Sequence, residues 1–177
     1  MAILGFLRWG RGDDDERERA GLAARIERRR AGIAKERIDA VACYAGLLLR
    51  VAHADVHLSA AERSALPRLL AERAGVSELE AGVIADLAVE AREIGDLDYA
   101  VLTRTFNELA DVGEKERLVD CLYAVATADD SISHVEDEEI RAVARALLLS
   151  HAQFIAIRSR YKRKLAVLQS LKEVQGS

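Results

Sequence analysis

Apolar residues along most of this chain recur every three or four positions, which is the spacing of helices that bury one face. No segment shows the strict alternation of apolar and polar residues that is typical of a half-buried strand. The pattern therefore predicts an all-α protein, a compact array of seven to eight helices. The segments with this spacing are residues 36–54, 60–74, 77–94, 97–112, 114–128 and 134–149, followed by one long C-terminal helix from residue 150 to about residue 173.

Short signatures indicate where several of these helices begin and end. Ser59, Ser77 and Ser133 are each followed by glutamate three positions later, the capping box that satisfies two free backbone amides at a helix start. Pro67 lies eight positions after Ser59, where it removes an interior hydrogen bond. We therefore expect that helix to kink by more than ~20° or to break at Pro67, and to end at Gly75.

Part of the chain occurs twice. Residues 51–66 match residues 125–140 identically at six of sixteen positions, where random pairing gives about one. Asp55 and Asp129 occupy equivalent positions, and each is followed by its own S-x-x-E signature. The sequence thus predicts two pseudo-repeated helix-turn-helix units with a helical insert between them.

Charge is distributed unevenly along the 177 residues. The net charge is −4 overall, but residues 41–150 carry −11, whereas residues 1–40 carry +2 and residues 151–177 carry +5. An acidic centre repels a phosphate backbone, so we expect no nucleic-acid partner and favour divalent cations or basic protein partners. Cys43 and Cys121 lie within apolar helical patterns and are predicted to be small core residues in a reducing compartment.

Length and composition predict three parts: an apolar foot and charged linker (residues 1–34), a helical domain (residues 35–160) and a basic helical extension (residues 161–177). The apolar run within residues 1–10 is shorter than the ~20 residues of a membrane span. It also lacks the basic start and the cleavage site of a secretory signal. We therefore expect a cytoplasmic protein.

The two turns at residues 54–62 and 128–136 resemble the TerB-like family, whose signature A-D-G-x-[hydrophobic]-x-x-x-E occurs twice in an all-helical array. This family includes the tellurite-resistance protein TerB and the N-terminal domain of DjlA-type co-chaperones, and the resemblance covers about residues 38–160. It implies a cytoplasmic or membrane-peripheral stress-response module and supplies no reaction. Val56 and Asp130 replace the family glycine; only Asp tolerates a left-handed backbone, so the first turn should be reshaped.

Two interpretations of the repeated carboxylates stay open. In the first, the glutamates complete capping boxes and the aspartates form the turns, which is a purely structural role. In the second, an acidic surface weakly binds a divalent cation (Ca²⁺, Mg²⁺ or Mn²⁺), because these ions take oxygen ligands. The second turn is favoured because three more acidic residues follow it. The candidate metal ligands are Asp129, Asp130 and Glu136 in the second turn, and Asp55 and Glu62 in the first.

His53 and His57 have the i, i+4 spacing of a zinc pair, but no third ligand follows at a suitable spacing. They are predicted to be surface histidines near a helix end. The sequence contains no Gly-rich phosphate loop and no pairing of a nucleophile with a base, so we expect no catalytic residues and no enzymatic activity.

The sequence therefore predicts a non-enzymatic TerB-like stress-response module that binds a protein partner. The alternative is a membrane-peripheral adaptor, in which the apolar side chains of residues 1–10 and the basic residues of 158–164 adsorb to anionic lipid. A further interpretation of residues 1–10 is that they fold back on the core as a clip.

Overall fold

The computed structural model describes residues 32–52, 60–90, 99–128 and 131–165. Within these ranges the all-α prediction is confirmed, and none of the helices combines the length and the apolar character that crossing a bilayer requires. The helices are α1 (Lys35–Ala52), α2 (Ala60–Arg73), α3 (Glu78–Glu90), α4 (Tyr99–Leu109), α5 (Val112–Ala126), α6 (His134–Ala146) and α7 (His151–Arg160).

Helix α5 lies at the centre of the array. Every residue from Leu118 to Ala126 is buried, and α5 packs against α1, α2, α6 and α7. The spacing of its apolar residues predicts a single buried face, whereas neighbouring helices cover it on all sides. As a result, the polar side chains of Asp120 and Tyr123 lie inside the protein.

Helix α1 organises the other half of the core by packing against α3 and α4. The close approach of α1 to α4 depends on Gly46, because a Cβ at this position would lie only 2.5 Å from Cδ1 of Leu102. On α4, Phe106 lies one turn after Leu102, and its ring meets that of Tyr44 edge-on with 6.1 Å between ring centroids. The space between α1 and α4 at this position therefore accommodates glycine but no larger residue without a shift of Leu102.

The helix boundaries keep the 74-residue offset of the sequence repeat. Helices α1 and α5 end at Ala52 and Ala126, while α2 and α6 begin at Ala60 and His134. The pairing of helices is reciprocal as well, since α1 packs against α6 and α2 packs against α5. The duplication itself stays a prediction.

Capping boxes begin several of the helices. Those that start at Ser77 and Ser133 form as predicted, whereas Ser59 lies outside the described residues. Two further boxes, which start at Asp111 and Ser150, were not predicted although both have the required signature in the sequence. The Asp111 box makes α5 begin two residues earlier than residue 114.

Pro67 does not divide helix α2, which is continuous from Ala60 to Arg73. The expected break is therefore wrong, while a kink stays a prediction. The side chains of Pro67 and Arg63 are exposed, so the carbonyl group that loses its amide donor lies on the solvent side, where water can supply the missing hydrogen bond. Gly75, with φ of +68°, follows the end of α2 as predicted, because glycine adopts the left-handed conformation without steric cost.

The C-terminal helix is shorter than predicted. Helix α7 ends at Arg160, a turn follows over residues 161–164, and the backbone N–H of Ile132 donates to the carbonyl oxygen of Lys164 at 2.8 Å. The prediction of one helix to about residue 173 is therefore wrong at this point. The turn allows both Tyr161 and Leu165 to be buried against the core, which a straight solvated helix would not achieve.

Replacing Gly46 with alanine should lower the free energy of unfolding by about 1–3 kcal/mol, because overpacking two fixed helices forces side chains out of their preferred positions. Gly82 in α3 is the matched control, since a Cβ there would meet nothing within 4 Å. Gly82→Ala should stabilise the protein by about 0.5–1 kcal/mol. Urea unfolding followed by circular dichroism measures both values, and a Gly46→Ala protein as stable as Gly82→Ala would contradict the close α1–α4 contact.

Candidate functional site at the start of helix α6

Four consecutive carboxylates open helix α6 next to the second repeated turn. Glu136 is buried and occupies the third helical position, where its Oε2 accepts a hydrogen bond from the backbone N–H of Ser133 at 2.8 Å. In return, Oγ of Ser133 accepts from the backbone N–H of Glu136 at 3.2 Å. The capping role predicted for this pair is confirmed.

Asp137 is the most deeply buried of the four, with 4% of its surface exposed. Its carboxylate accepts two hydrogen bonds from the guanidinium of Arg158, at 2.8 Å from Nε and 2.7 Å from Nη2, and a third from the hydroxyl of Tyr123 at 2.7 Å. Burial by itself would raise the pKa of Asp137, but hydrogen bonds from Arg158 and Tyr123 outweigh it and hold the pKa below its ordinary value. These contacts join α6 to α5 and α7.

The remaining two carboxylates are also paired. Oε1 of Glu138 lies 3.4 Å from Nη1 of Arg141 on the same helix. Oε2 of Glu139 accepts from Nε of Arg50 at 2.9 Å, and the same guanidinium lies over the ring of Tyr99 at 5.1 Å from its centroid. Glu139 therefore connects the start of α6 to the end of α1.

A second buried carboxylate repeats this arrangement on α5. Asp120 accepts hydrogen bonds from Nη1 of Arg160 at 3.0 Å, from Nη1 of Arg73 at 3.3 Å and from the hydroxyl of Tyr161 at 3.0 Å. The sequence analysis did not identify this cluster. A signal was available, since Asp120 is a lone carboxylate within an otherwise apolar run, and Arg158 and Arg160 follow each other closely on α7.

These contacts limit what the second turn can offer to a cation. Glu136, Asp137, Glu138 and Glu139 each have a partner within the protein. Among the residues that the structure describes, no group of three or more His, Cys, Asp or Glu side chains is placed to hold a metal ion. The other candidates lie outside the described residues, namely Asp55, Asp129, Asp130, His53, His57 and the side chain of Glu62.

Some of the negative charge in the described part of the chain is directed inward, since Glu80, Asp120, Glu136 and Asp137 are buried. Four basic side chains are exposed around the end of α2 and the end of α7, namely Arg73, Arg160, Lys162 and Arg163, and Glu72 is the exposed acidic residue at the end of α2. The exposed carboxylates lie apart from one another on α2, α3 and at the α4–α5 junction, and they are Glu72, Glu78, Asp86, Glu108 and Asp111. Ion pairing, rather than an open acidic face, thus accounts for many of the acidic residues.

The two cysteines are free and buried, as expected for core residues. Burial raises the pKa of the Cys43 thiol to about 12, with the charge of Asp39 adding to the effect, and burial likewise raises the pKa of Cys121 to about 12. Both thiols are therefore protonated at neutral pH, where a thiolate would be needed for reactivity.

The fold and this site define a helical scaffold whose carboxylates cap its helices and hold them together. The model of a protein family described as tellurite resistance protein TerB matches residues 37–159. Because the match covers more than half of the chain, the protein belongs to the TerB family, as the resemblance of its repeated turns indicated. No curated protein and no solved structure matches the chain.

Arg158→Met should lower the free energy of unfolding at pH 7 by about 3 kcal/mol, because it leaves the buried carboxylate of Asp137 without its counter-charge. The pKa of Asp137 is lowered in the folded protein, so the pair stabilises it above the unfolded pKa of about 3.9 and loses this effect as the pH falls. The cost of Arg158→Met should therefore shrink toward pH 3, which urea unfolding at several pH values measures.

Arg160→Met is the matched control. Arg160 is more exposed than Arg158, and Asp120 would keep Arg73 and Tyr161 as partners, so we expect a loss of about 1 kcal/mol or less. Equal losses for the two variants, or a loss for Arg158→Met that does not depend on pH, would contradict the role given to Asp137.

If the second turn binds a cation, the binding depends on Asp129 and Asp130, because the carboxylates of α6 are already bonded. Titration with Ca²⁺, Mg²⁺ or Mn²⁺ should then perturb amide resonances of residues 129–139 before those of residues 55–62. Asp129→Asn with Asp130→Asn should abolish this response, since Asn forms the turn but removes the charge. Ser133→Ala, the structural control, should cost ~1 kcal/mol with or without metal. No shift at millimolar cation would leave the turn a structural element only.

Proposed function

We propose that this TerB-family protein is a non-enzymatic module of tellurite-resistance type, which acts by binding a protein partner at one exposed apolar surface. The observation that carries the proposal is the conformation and exposure of Leu148. The carboxylates at the start of α6 support the same proposal in a different way, because they hold α5, α6 and α7 in fixed positions and so pre-organise the surface.

Leu148 follows helix α6 with φ of +62° and 77% of its surface exposed. A left-handed backbone is unfavourable for leucine and suits glycine or asparagine better. Its neighbours Leu147 and Leu149 are buried, whereas Leu148 contributes little to the core. Leucine at this position therefore costs stability in the folded chain, and such an outlier favours a role in binding.

Two other exposed apolar side chains lie at the same end of the array. Nδ2 of Asn107, near the end of α4, donates to the carbonyl oxygen of Ala146, the last residue of α6, at 2.9 Å. This contact brings Leu109 and Val112, exposed by 46% and 54%, to the side of the molecule that carries Leu148. We call these three residues, Leu109, Val112 and Leu148, the apolar end patch. Patches of this kind supply the central contacts of protein interfaces.

The proposal predicts that Leu148→Asn abolishes function without harming the fold. Asparagine tolerates the left-handed backbone, so the free energy of unfolding should be unchanged or slightly higher. In cells that lack this chain, the unchanged protein should restore growth on tellurite and the Leu148→Asn protein should not. The matched control is Val135→Asn, which changes an exposed apolar residue (47%) at the opposite end of α6 and should restore growth fully.

Two results would count against the proposal. Full restoration by Leu148→Asn would remove the apolar end patch as the functional surface. Unchanged tellurite sensitivity after deletion of the chain would separate this protein from the resistance that its family is named for.

A further inference from the structure

We propose that Arg73 and Arg160, at the ends of α2 and α7, form a binding site for a phosphate group. We call these two residues the arginine pair. Arg160 ends α7, whereas Leu148 precedes the start of that helix, so the site and the apolar end patch lie at opposite ends of α7. The proposal therefore goes beyond the protein-binding function and does not depend on it.

The two guanidinium groups converge on one buried carboxylate. Nη1 of Arg73 donates to Oδ2 of Asp120 at 3.3 Å, and Nη1 of Arg160 donates to Oδ1 at 3.0 Å. The hydroxyl of Tyr161 donates to the same Oδ1 at 3.0 Å. Because Asp120 is buried on α5, it holds arginines from two helices that are far apart in sequence beside each other.

This cluster contains one more positive charge than the cluster around Asp137. Asp137 pairs with the single guanidinium of Arg158, whose Nε and Nη2 donate to it at 2.8 Å and 2.7 Å. One carboxylate balances one arginine there, whereas at Asp120 one carboxylate faces two. Burial of Asp120 calls for one counter-charge. The second guanidinium thus carries a positive charge that no carboxylate of the cluster offsets.

Both members of the arginine pair keep hydrogen-bond donors for a ligand. In the described part of the chain each uses Nη1 alone, Arg73 for Asp120 and the hydroxyl of Tyr161, and Arg160 for Asp120. Their side chains are 46% and 61% exposed. The N–H groups of Nε and Nη2 form the edge that Arg158 uses to bind a carboxylate. A phosphate group accepts from the same paired donors.

Other basic side chains lie close to the pair. Arg117 of α5 is exposed and lies against the turn that follows α2, since its Nε is 2.8 Å from the position of a Cβ on Gly75. Lys162 and Arg163 are exposed in the turn that follows α7. These charges add to the positive potential that would attract a phosphate group.

The carboxylates near the pair on α2 and α5 are bonded to other partners. Glu72, next to Arg73, accepts two hydrogen bonds from Nη1 of Arg68 at 3.0 Å and 3.2 Å. Glu116, one turn before Asp120, accepts from Nε2 of Gln153 at 2.9 Å. On α3, Glu78 is exposed. Among the described side chains named here, the basic ones outnumber the acidic ones. Two further glutamates on α3 and α5, Glu80 and Glu114, both accept from Arg37.

Inorganic phosphate is the first probe of the site. At low ionic strength, it should shift the Nε–Hε resonances of Arg73 and Arg160 along saturable curves. The resonance of Arg158 should not shift, because its Nε already donates to Asp137. The shifts should weaken as sodium chloride is added, since salt screens exposed charges.

Variants test whether the pair is a specific site. Arg73→Gln and, separately, Arg160→Gln should each weaken the affinity for phosphate about tenfold or more, because each removes charge-assisted hydrogen bonds. The matched control is Arg145→Gln, which removes an equal charge from an exposed position in the last turn of α6 and should leave the affinity unchanged. Arg73→Lys with Arg160→Lys keeps the charge without the planar fork, so it should also bind more weakly. Circular dichroism verifies that every variant is folded.

Vesicles identify the source of the phosphate group. Binding to phosphatidylglycerol vesicles that is lost in Arg160→Gln and kept in Arg145→Gln would support the site with a lipid headgroup as its ligand. Saturable shifts with inorganic phosphate and no binding to vesicles would support the site with a soluble phosphate compound as its ligand.

Two results would overturn the inference. The first is the absence of a saturable response at both arginines to phosphate and to vesicles, and the second is an equal loss of affinity in Arg145→Gln. Either would leave the pair as structural partners of Asp120 at two helix ends, where the helix dipole favours a cation. Leu148→Asn should leave the phosphate shifts unchanged, so the failure of this inference and that of the proposed function are distinguishable.

Discussion

The arrangement of this protein depends on the pairing of two buried aspartates with arginines of helix α7. Helix α5 is covered on every side from Leu118 to Ala126, so Asp120 cannot be solvated there, and Asp137 is buried beside it at the start of α6. An isolated carboxylate in such a position would be strongly destabilising. Arg160 and Arg158, two residues apart on α7, supply the compensating charges, and Tyr161 and Tyr123 add hydroxyl donors. Helix α7 is held in place because it supplies the arginine that pairs with Asp137 and one of the two arginines that pair with Asp120.

Pairing within the protein also explains why the acidic composition does not produce an open acidic face in the described part of the chain. The carboxylates at the start of α6 cap their own helix or pair with arginines of α1, α6 and α7. The pairs of Glu139 with Arg50 and of Asp137 with Arg158 connect α6 to α1 and to α7, and so fix these helices relative to one another. A cation at the second turn would have to be held mainly by residues that precede α6. The family membership of the chain is thus compatible with a scaffold whose acidic residues are largely structural.

The fixed helices hold the apolar end patch at the surface in a defined position. Because α5, α6 and α7 are fixed by capping boxes and ion pairs, and α4 is bonded to the end of α6 through Asn107, the apolar end patch is presented in one arrangement, including the unfavourable backbone of Leu148. Leucine in this left-handed conformation lowers the free energy of unfolding of the protein.

The sequence by itself determined the helical class, most helix starts and the family, because these depend on local physics: the spacing of apolar residues, the S-x-x-E signatures and the repeated turn. Pro67 and the C-terminal segment show where local rules are insufficient. Whether a lost hydrogen bond breaks a helix depends on which side faces water, and whether a helix continues past Arg160 depends on the burial that Tyr161 and Leu165 gain by turning. Only the tertiary structure decided that α5 is covered all round, that Asp120 and Asp137 are buried, and that Leu109, Val112 and Leu148 share one end of the molecule. These features depend on residues far apart in sequence. The pattern of residues along one helix does not predict which other helices will pack against its remaining faces.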